Sequence, residues 1–128
     1  MLHRIAYSLH GVGLFQLISG LALLGWGLLL TALDPGLLVE GHIYRAMAAT
    51  APAAAWGGFC LIVGAVQAAA VLCFLPRVMS FASVGGMLFF WSVAGAFFAV
   101  TPTTTGGITY FVLGFGNAVS AAIFWRAR

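Results

Sequence analysis

The sequence predicts an all-α integral membrane protein, four transmembrane helices in an antiparallel bundle that form one domain over residues 1–128. A short interfacial helix or a plain loop is expected between the first and second spans. Three observations carry this expectation. Hydrophobic residues make up 63% of the chain and charged ones 5%, with a mean hydropathy of +1.13. That is too little charge to cover the surface of a soluble domain. Apolar runs of about 20 residues, the length that crosses a bilayer, recur along the chain. Proline, glycine and arginine punctuate the breaks between them.

The first span is expected over residues 5–33, longer than a bilayer requires, so it tilts or projects. This run exceeds the roughly 7 to 15 apolar residues of a signal peptide and no small-x-small cleavage site follows it, so it reads as a retained helix. Asp34 and Pro35 end it, and the same pair is a helix-start signal for an interfacial segment over residues 35–50. Leu37, Gly41, Tyr44 and Ala48 would share one face of that segment, with His42 and Arg45 on another. Pro52 restarts the chain, and a second span is expected over residues 53–75. Pro76 and Arg77 make a short turn to a third span over residues 78–100. Thr101 and Pro102 end the third, and the fourth runs over residues 106–125. Such short connections make the second, third and fourth helices antiparallel neighbours.

Charge placement sets the expected orientation. Five arginines stand against Asp34 and Glu40, and there is no lysine. With four spans, Arg4, Arg77, Arg126 and Arg128 collect on one side and Arg45 alone on the other, so both termini are expected in the cytoplasm. Trp26, Trp56 and Trp125 fall near span ends, where amphipathic rings favour the interface, whereas Trp91 lies deeper and is expected between helices. Scattered arginines make no basic face, which excludes nucleic acid as a partner.

Polar side chains inside lipid are costly, so each intramembrane amide needs an account. Gln16, Gln67 and Asn117 all fall roughly 2 to 4 Å to the cytoplasmic side of the midplane when depth is counted at 1.5 Å per residue. They are expected to meet. Each also lies on a stripe of small residues: Gly13, Gly20 and Gly27 with Gln16; Gly57, Cys60 and Gly64 with Gln67; Gly107, Gly114 and Ala121 with Asn117. Small residues at this spacing let helix backbones approach, and amides on the same face hydrogen-bond across the contact. The structural reading is an amide layer that sets the register of the bundle. The functional one is a polar constriction or substrate site.

Chemistry-bearing groups are sparse. Cys60 and Cys73, thirteen residues apart in one expected helix, stand about 20 Å apart and cannot bridge each other. His10 and His42 fall towards opposite membrane faces, so a bis-histidine haem cannot form within one chain. His3 belongs to the charged flank with Arg4, and Asp34, Glu40 and His42 could hold a metal only weakly. No nucleophile sits beside a base and no carboxylate lies within a span, so neither an enzyme, a cofactor nor proton coupling is expected.

Small four-helix multidrug exporters share this length and topology, but that family depends on a glutamate in its first helix, which is missing here. The order Trp56, Gly64-x-x-Gln67, Arg77, Trp91, Thr105-Gly106-x-x-x-Tyr110 and Trp125-Arg126 resembles small, uncharacterised four-helix membrane proteins encoded by tailed bacteriophages and prophages. The likeness covers residues 44–128 and implies a host inner-membrane location without an established activity.

The expected function is therefore a non-enzymatic structural or interaction module in the lipid bilayer. It would associate with itself as a homo-oligomer or join a larger membrane protein complex as an accessory subunit. Gly85, Ser92 and Ala99 on the third helix add to the small-residue surface that motivates this reading. A holin-like or channel-like pore, with the three amides lining water, is the competing expectation. An accessory subunit holding lipid, quinone or pigment against Phe89, Phe90, Phe97 and Phe98 is a third.

Overall fold

A computed structural model describes residues 11–40, 42–100 and 105–126, and among these the chain is helical with no strand. Helix α1 covers Val12–Leu28 and runs on through a π-helical turn, Leu29–Leu33. Short helices α2 (Leu37–Glu40) and α3 (Arg45–Thr50) flank a 3-10 turn at His42–Tyr44. Three long helices follow: α4 (Ala53–Leu72), α5 (Pro76–Val100) and α6 (Thr105–Arg126). Together with α1 and its π turn, these make four helices long and apolar enough to cross a membrane.

The helix ends follow from backbone chemistry, and several differ from the sequence expectation. Among the described residues the first span begins at Val12, and the part of the expectation that falls on residues 5–10 lies outside them. Gly11 at φ 66° is left-handed and cannot continue a right-handed helix. At the other end the Asp34 amide reaches back five residues to the Leu29 carbonyl at 2.7 Å, and the Thr31 hydroxyl takes the Gly27 carbonyl at 2.7 Å. The second span stops at Leu72, three residues earlier than expected. Phe74 takes a left-handed φ of 54°, and the Leu75 amide donates to the Ala70 carbonyl at 3.0 Å, the six-to-one bond that closes a helix. The third span consequently begins at Pro76, not at residue 78, because proline needs no N–H donor at the first helical position. The fourth differs from expectation by one residue at each end.

The segment expected at the interface is helical but not a single helix. Leu37, Tyr44 and Ala48 are partly buried against the main core, as their shared face requires, and Arg45 is exposed. Trp56 ties the segment down by donating its indole N–H to the Met47 carbonyl at 2.9 Å.

Helix α1 packs chiefly on α4, α4 also on α5, and α5 most extensively on α6. The contact between α1 and α6 is slight, which leaves that side of the bundle open. Two apolar cores result. The larger gathers Leu23, Leu30, Cys60, Phe89, Phe90 and Val93 with Leu38 and Met47 from the connecting segment. The smaller joins Ala70, Val71, Met79 and Phe124. Between them, on every long helix, falls a set of buried polar side chains.

Candidate functional site

Gln16 and Ser19 come from α1, Gln67 from α4, Ser83 from α5 and Asn117 from α6, and all five have no exposed surface. Gln67 is the hub. Its amide nitrogen donates to Gln16 Oε1 and, at 2.9 Å, to Asn117 Oδ1. Asn117 Nδ2 donates to the Ser19 hydroxyl at 3.0 Å and to the Leu113 carbonyl at 2.9 Å. Ser19 Oγ lies 3.2 Å from Asn117 Oδ1 and 3.5 Å from Gln67 Oε1, so its single proton serves one of them. Ser83 Oγ lies 2.7 Å from Gln16 Oε1 and 2.6 Å from its own helix's Met79 carbonyl, again one proton between two acceptors. The three amides thus meet, but Gln16 and Asn117 do so through Gln67 and Ser19.

A single backbone group orients the whole layer. The Leu113 carbonyl only accepts, so the atom of Asn117 facing it must be Nδ2. Oδ1 then faces Gln67, which must present Nε2, and that nitrogen in turn requires Oε1 of Gln16. Rotating any one amide would oppose two donors or two acceptors. The cost falls on Gln16, whose Nε2 is buried with no hydrogen-bond partner among the described residues. An unmet buried donor of this kind costs about 1–3 kcal/mol.

Serines 19 and 83 are the members that sequence reasoning does not single out. A serine in a helix can satisfy itself on the carbonyl four residues back, as Ser92 and Ser120 do at 2.7 Å each. Ser80 is a further buried hydroxyl, bonded across helices to the Ala121 carbonyl at 2.7 Å.

The expected packing glycines surround this layer. Gly13 is buried on the same helix face as Gln16. Gly20 and Gly64 bring the backbones of α1 and α4 together: a methyl on Gly64 would stand 2.8 Å from the Gly20 oxygen. Gly27 lies against Leu61, and Gly57 against Leu30 and Thr31. On α6, Gly107 accommodates the Phe98 ring and Gly114 the Trp91 indole, which reaches the Phe111 carbonyl at 3.2 Å. Gly86 faces the Asn117 amide itself. Gly25, Gly58 and Gly95 have no neighbour among the described residues where a side chain would begin.

The tryptophans divide differently from the expectation by depth. Trp125 is 62% exposed and stands edge-on to Phe81. Trp26 is instead the centre of an aromatic cluster, meeting Tyr44, Phe89 and Tyr110 edge-on at 5.6 to 5.9 Å. Trp56 joins through Phe89, and Phe97 through Tyr44 and Tyr110. Depth places a ring near a helix end but does not give the direction it faces, and here both Trp26 and Trp56 turn inward. Trp91, expected between helices, spans the α5–α6 groove with one face outward at 37% exposure. A cleft of about 600 Å³ opens beside the cluster between α1 and α6, walled by Trp26, Tyr44, Phe90 and Tyr110. Burial, and after it the Tyr110 phenol, holds the Tyr44 phenol above its ordinary range.

Cys60 is buried and Cys73 exposed, and neither forms a disulfide. Arg77 and Arg126 are exposed near helix ends. Arg4, His3, His10, Gly41 and Arg128 lie outside the described residues. No group of three metal-ligating side chains occurs among the described residues. No family model, curated protein or solved structure matches this chain.

Proposed function

We propose that the protein is a multi-pass membrane module without catalytic activity, which works by packing against further copies of itself or as an accessory subunit of a larger membrane complex. Its four helices would cross a bacterial inner membrane in alternating directions with both termini in the cytoplasm. Support for insertion comes from the partition of the side chains. The amides and serines of the layer are buried and, but for Gln16 Nε2, bonded to one another. Leu33, Ile62, Leu72 and Phe81 point outward at 63 to 76% exposure. Water would penalise such a surface and lipid would not. Alternating directions are supported by the register of α1 on α6, where Phe15 touches Gly116 and Trp26 touches Tyr110.

The observation that carries association is the set of open glycines. Most glycines are consumed inside the bundle, yet Gly25, Gly58 and Gly95 leave gaps on its periphery. Small residues on a lipid-facing surface permit a further helix to approach closely. Cross-linking and native mass measurement in mild detergent test this. A defined oligomer or a co-purifying membrane partner is expected, and a monodisperse monomer bound to nothing refutes the reading.

The pore alternative has less support, because the amide layer is closed within one chain and would need the helices to part before it met water. Asn117→Leu separates the two. A structural layer predicts weaker packing with no conductance to lose, whereas a pore predicts altered conductance in an assembly that still forms. The α1–α6 cleft favours a second reading, in which the aromatic wall of Trp26, Phe90 and Tyr110 holds a lipid, quinone or pigment. Quenching of tryptophan fluorescence by a short-chain quinone, lost in Trp26→Leu, would support it.

A further inference from the structure

We propose that the furrow between α3 and the end of α5 is a binding site for an anionic phospholipid, its phosphate held by Arg45 and its acyl chain lying on α5. This inference rests on the membrane reading above and adds a ligand to it.

The furrow has a volume of about 440 Å³. Its floor is made of small side chains, Ala46 and Ala49 from α3 and Ala96, Ala99 and Val100 from α5. Four alanines in place of larger residues leave a trough where the two helices meet. Ala96 is buried at its base, while Ala99 and Val100 are open along the outer wall. The trough is apolar along its length and cationic at its mouth.

Arg45 supplies that charge. Its guanidinium is exposed and stands 3.3 Å from His42 Nδ1, a contact that brings no negative charge to it. Arginine only donates, so His42 must accept at Nδ1 and carry its own proton at Nε2. The contact therefore turns the imidazole N–H away from the guanidinium. The guanidinium, a planar fork suited to phosphate oxygens, is the anion-recognising group of the furrow. An apolar furrow that ends in such a cation matches a molecule with an anionic head and a hydrocarbon tail. A zwitterionic lipid would fill the trough but bring its own cation to Arg45.

The placement is also suited to the bilayer. The 3-10 turn and α3 follow the end of α1 and precede α4, so Arg45 sits at the level where the long helices stop. Under the proposed topology this is the face with a single arginine, so the preference would not arise from a general excess of basic residues there.

Native mass spectrometry of the full chain tests the site, after extraction in mild detergent with equal amounts of phosphatidylglycerol and phosphatidylcholine of matched acyl chains. Retention of phosphatidylglycerol is expected to exceed that of phosphatidylcholine by about fivefold, the factor one basic side chain contributes near an anionic lipid surface. Arg45→Gln should bring the ratio near one, and Arg77→Gln, which removes an exposed charge elsewhere, should leave it unchanged. Ala99→Leu fills the furrow while keeping the charge, and should lower retention as well. Equal retention of both lipids by the natural chain, or an unchanged preference in Arg45→Gln, overturns the proposal. So does undiminished retention in Ala99→Leu, which would reduce the effect to diffuse surface charge. Alkaline carbonate washing of the starting membranes keeps the two readings apart. A chain released by the wash overturns the membrane reading and this inference with it, whereas a chain that stays and shows no preference overturns this inference alone.

Discussion

Replacing Gly64 with alanine tests the backbone contact between α1 and α4. A methyl there would meet the Gly20 oxygen at 2.8 Å, the Leu24 nitrogen at 2.9 Å and the Leu23 Cβ at 3.0 Å. Non-bonded heavy atoms settle at about 3.5–4.0 Å, so the methyl is about 0.7 Å too close. Two of its three neighbours are backbone atoms, which cannot swing aside as a side chain can. Helices α1 and α4 would have to separate, and a gap of 0.5–1 Å forfeits about a quarter to a half of each contact along the seam. Overpacking of this kind costs about 1–3 kcal/mol. Gly20→Ala meets its nearest backbone atoms at 3.1 and 3.2 Å and should cost less. Gly58→Ala has nothing within 4 Å, and removal of a flexible helical glycine there should be neutral or stabilise by about 0.4–1 kcal/mol. Unfolding in dilute detergent, followed by circular dichroism against added dodecyl sulfate, ranks the three. If Gly64→Ala is as stable as Gly58→Ala, the α1–α4 seam is not built on this contact.

Other consequences can be measured on the same preparations. Gln67→Met removes two donated interhelical bonds and should destabilise by about 1–3 kcal/mol, at about 0.6 to 1.7 kcal/mol each. Gln16→Met also loses two bonds but removes the unpartnered Nε2, so it should cost less than half as much, and the opposite order would show that Nε2 is satisfied. A membrane-permeant maleimide should modify Cys73 in the folded protein and reach Cys60 only on unfolding, read as one and then two adducts by mass. The Tyr44 phenol is held above its ordinary value of 10.0. The folded chain therefore keeps a proton that the unfolded chain releases, and stability present below pH 10 should fall as pH rises through the folded value. Tyr44→Phe should flatten that decline in a pH series of unfolding curves.

Much of this architecture is legible without coordinates. The number of long apolar helices, their approximate lengths and the proline breaks follow from where apolar side chains run without interruption. The meeting of Gln16, Gln67 and Asn117 is legible for a similar reason, since depth along a helix accumulates at 1.5 Å per residue whichever way the helix is rotated. The end of α4 is harder to read. A left-handed phenylalanine at position 74 is not announced by its residue type, and with it the turn moved three residues towards the N-terminus.

What the sequence by itself determined is therefore helix count, approximate ends and the depth of the polar groups, because each depends on distance along a single chain. Tertiary structure alone decided which way the side chains point and what they touch. It turned Trp26 and Trp56 into an aromatic core, recruited Ser19 and Ser83 to the amides, and left Gln16 Nε2 without a partner among the described residues. Those outcomes depend on the rotation of each helix about its axis and on which helices are neighbours. Both are set by close packing between segments far apart in sequence, such as Gly20 on Gly64 and Trp91 on Gly114, and a glycine or serine looks the same in sequence whether it faces lipid or a neighbouring backbone.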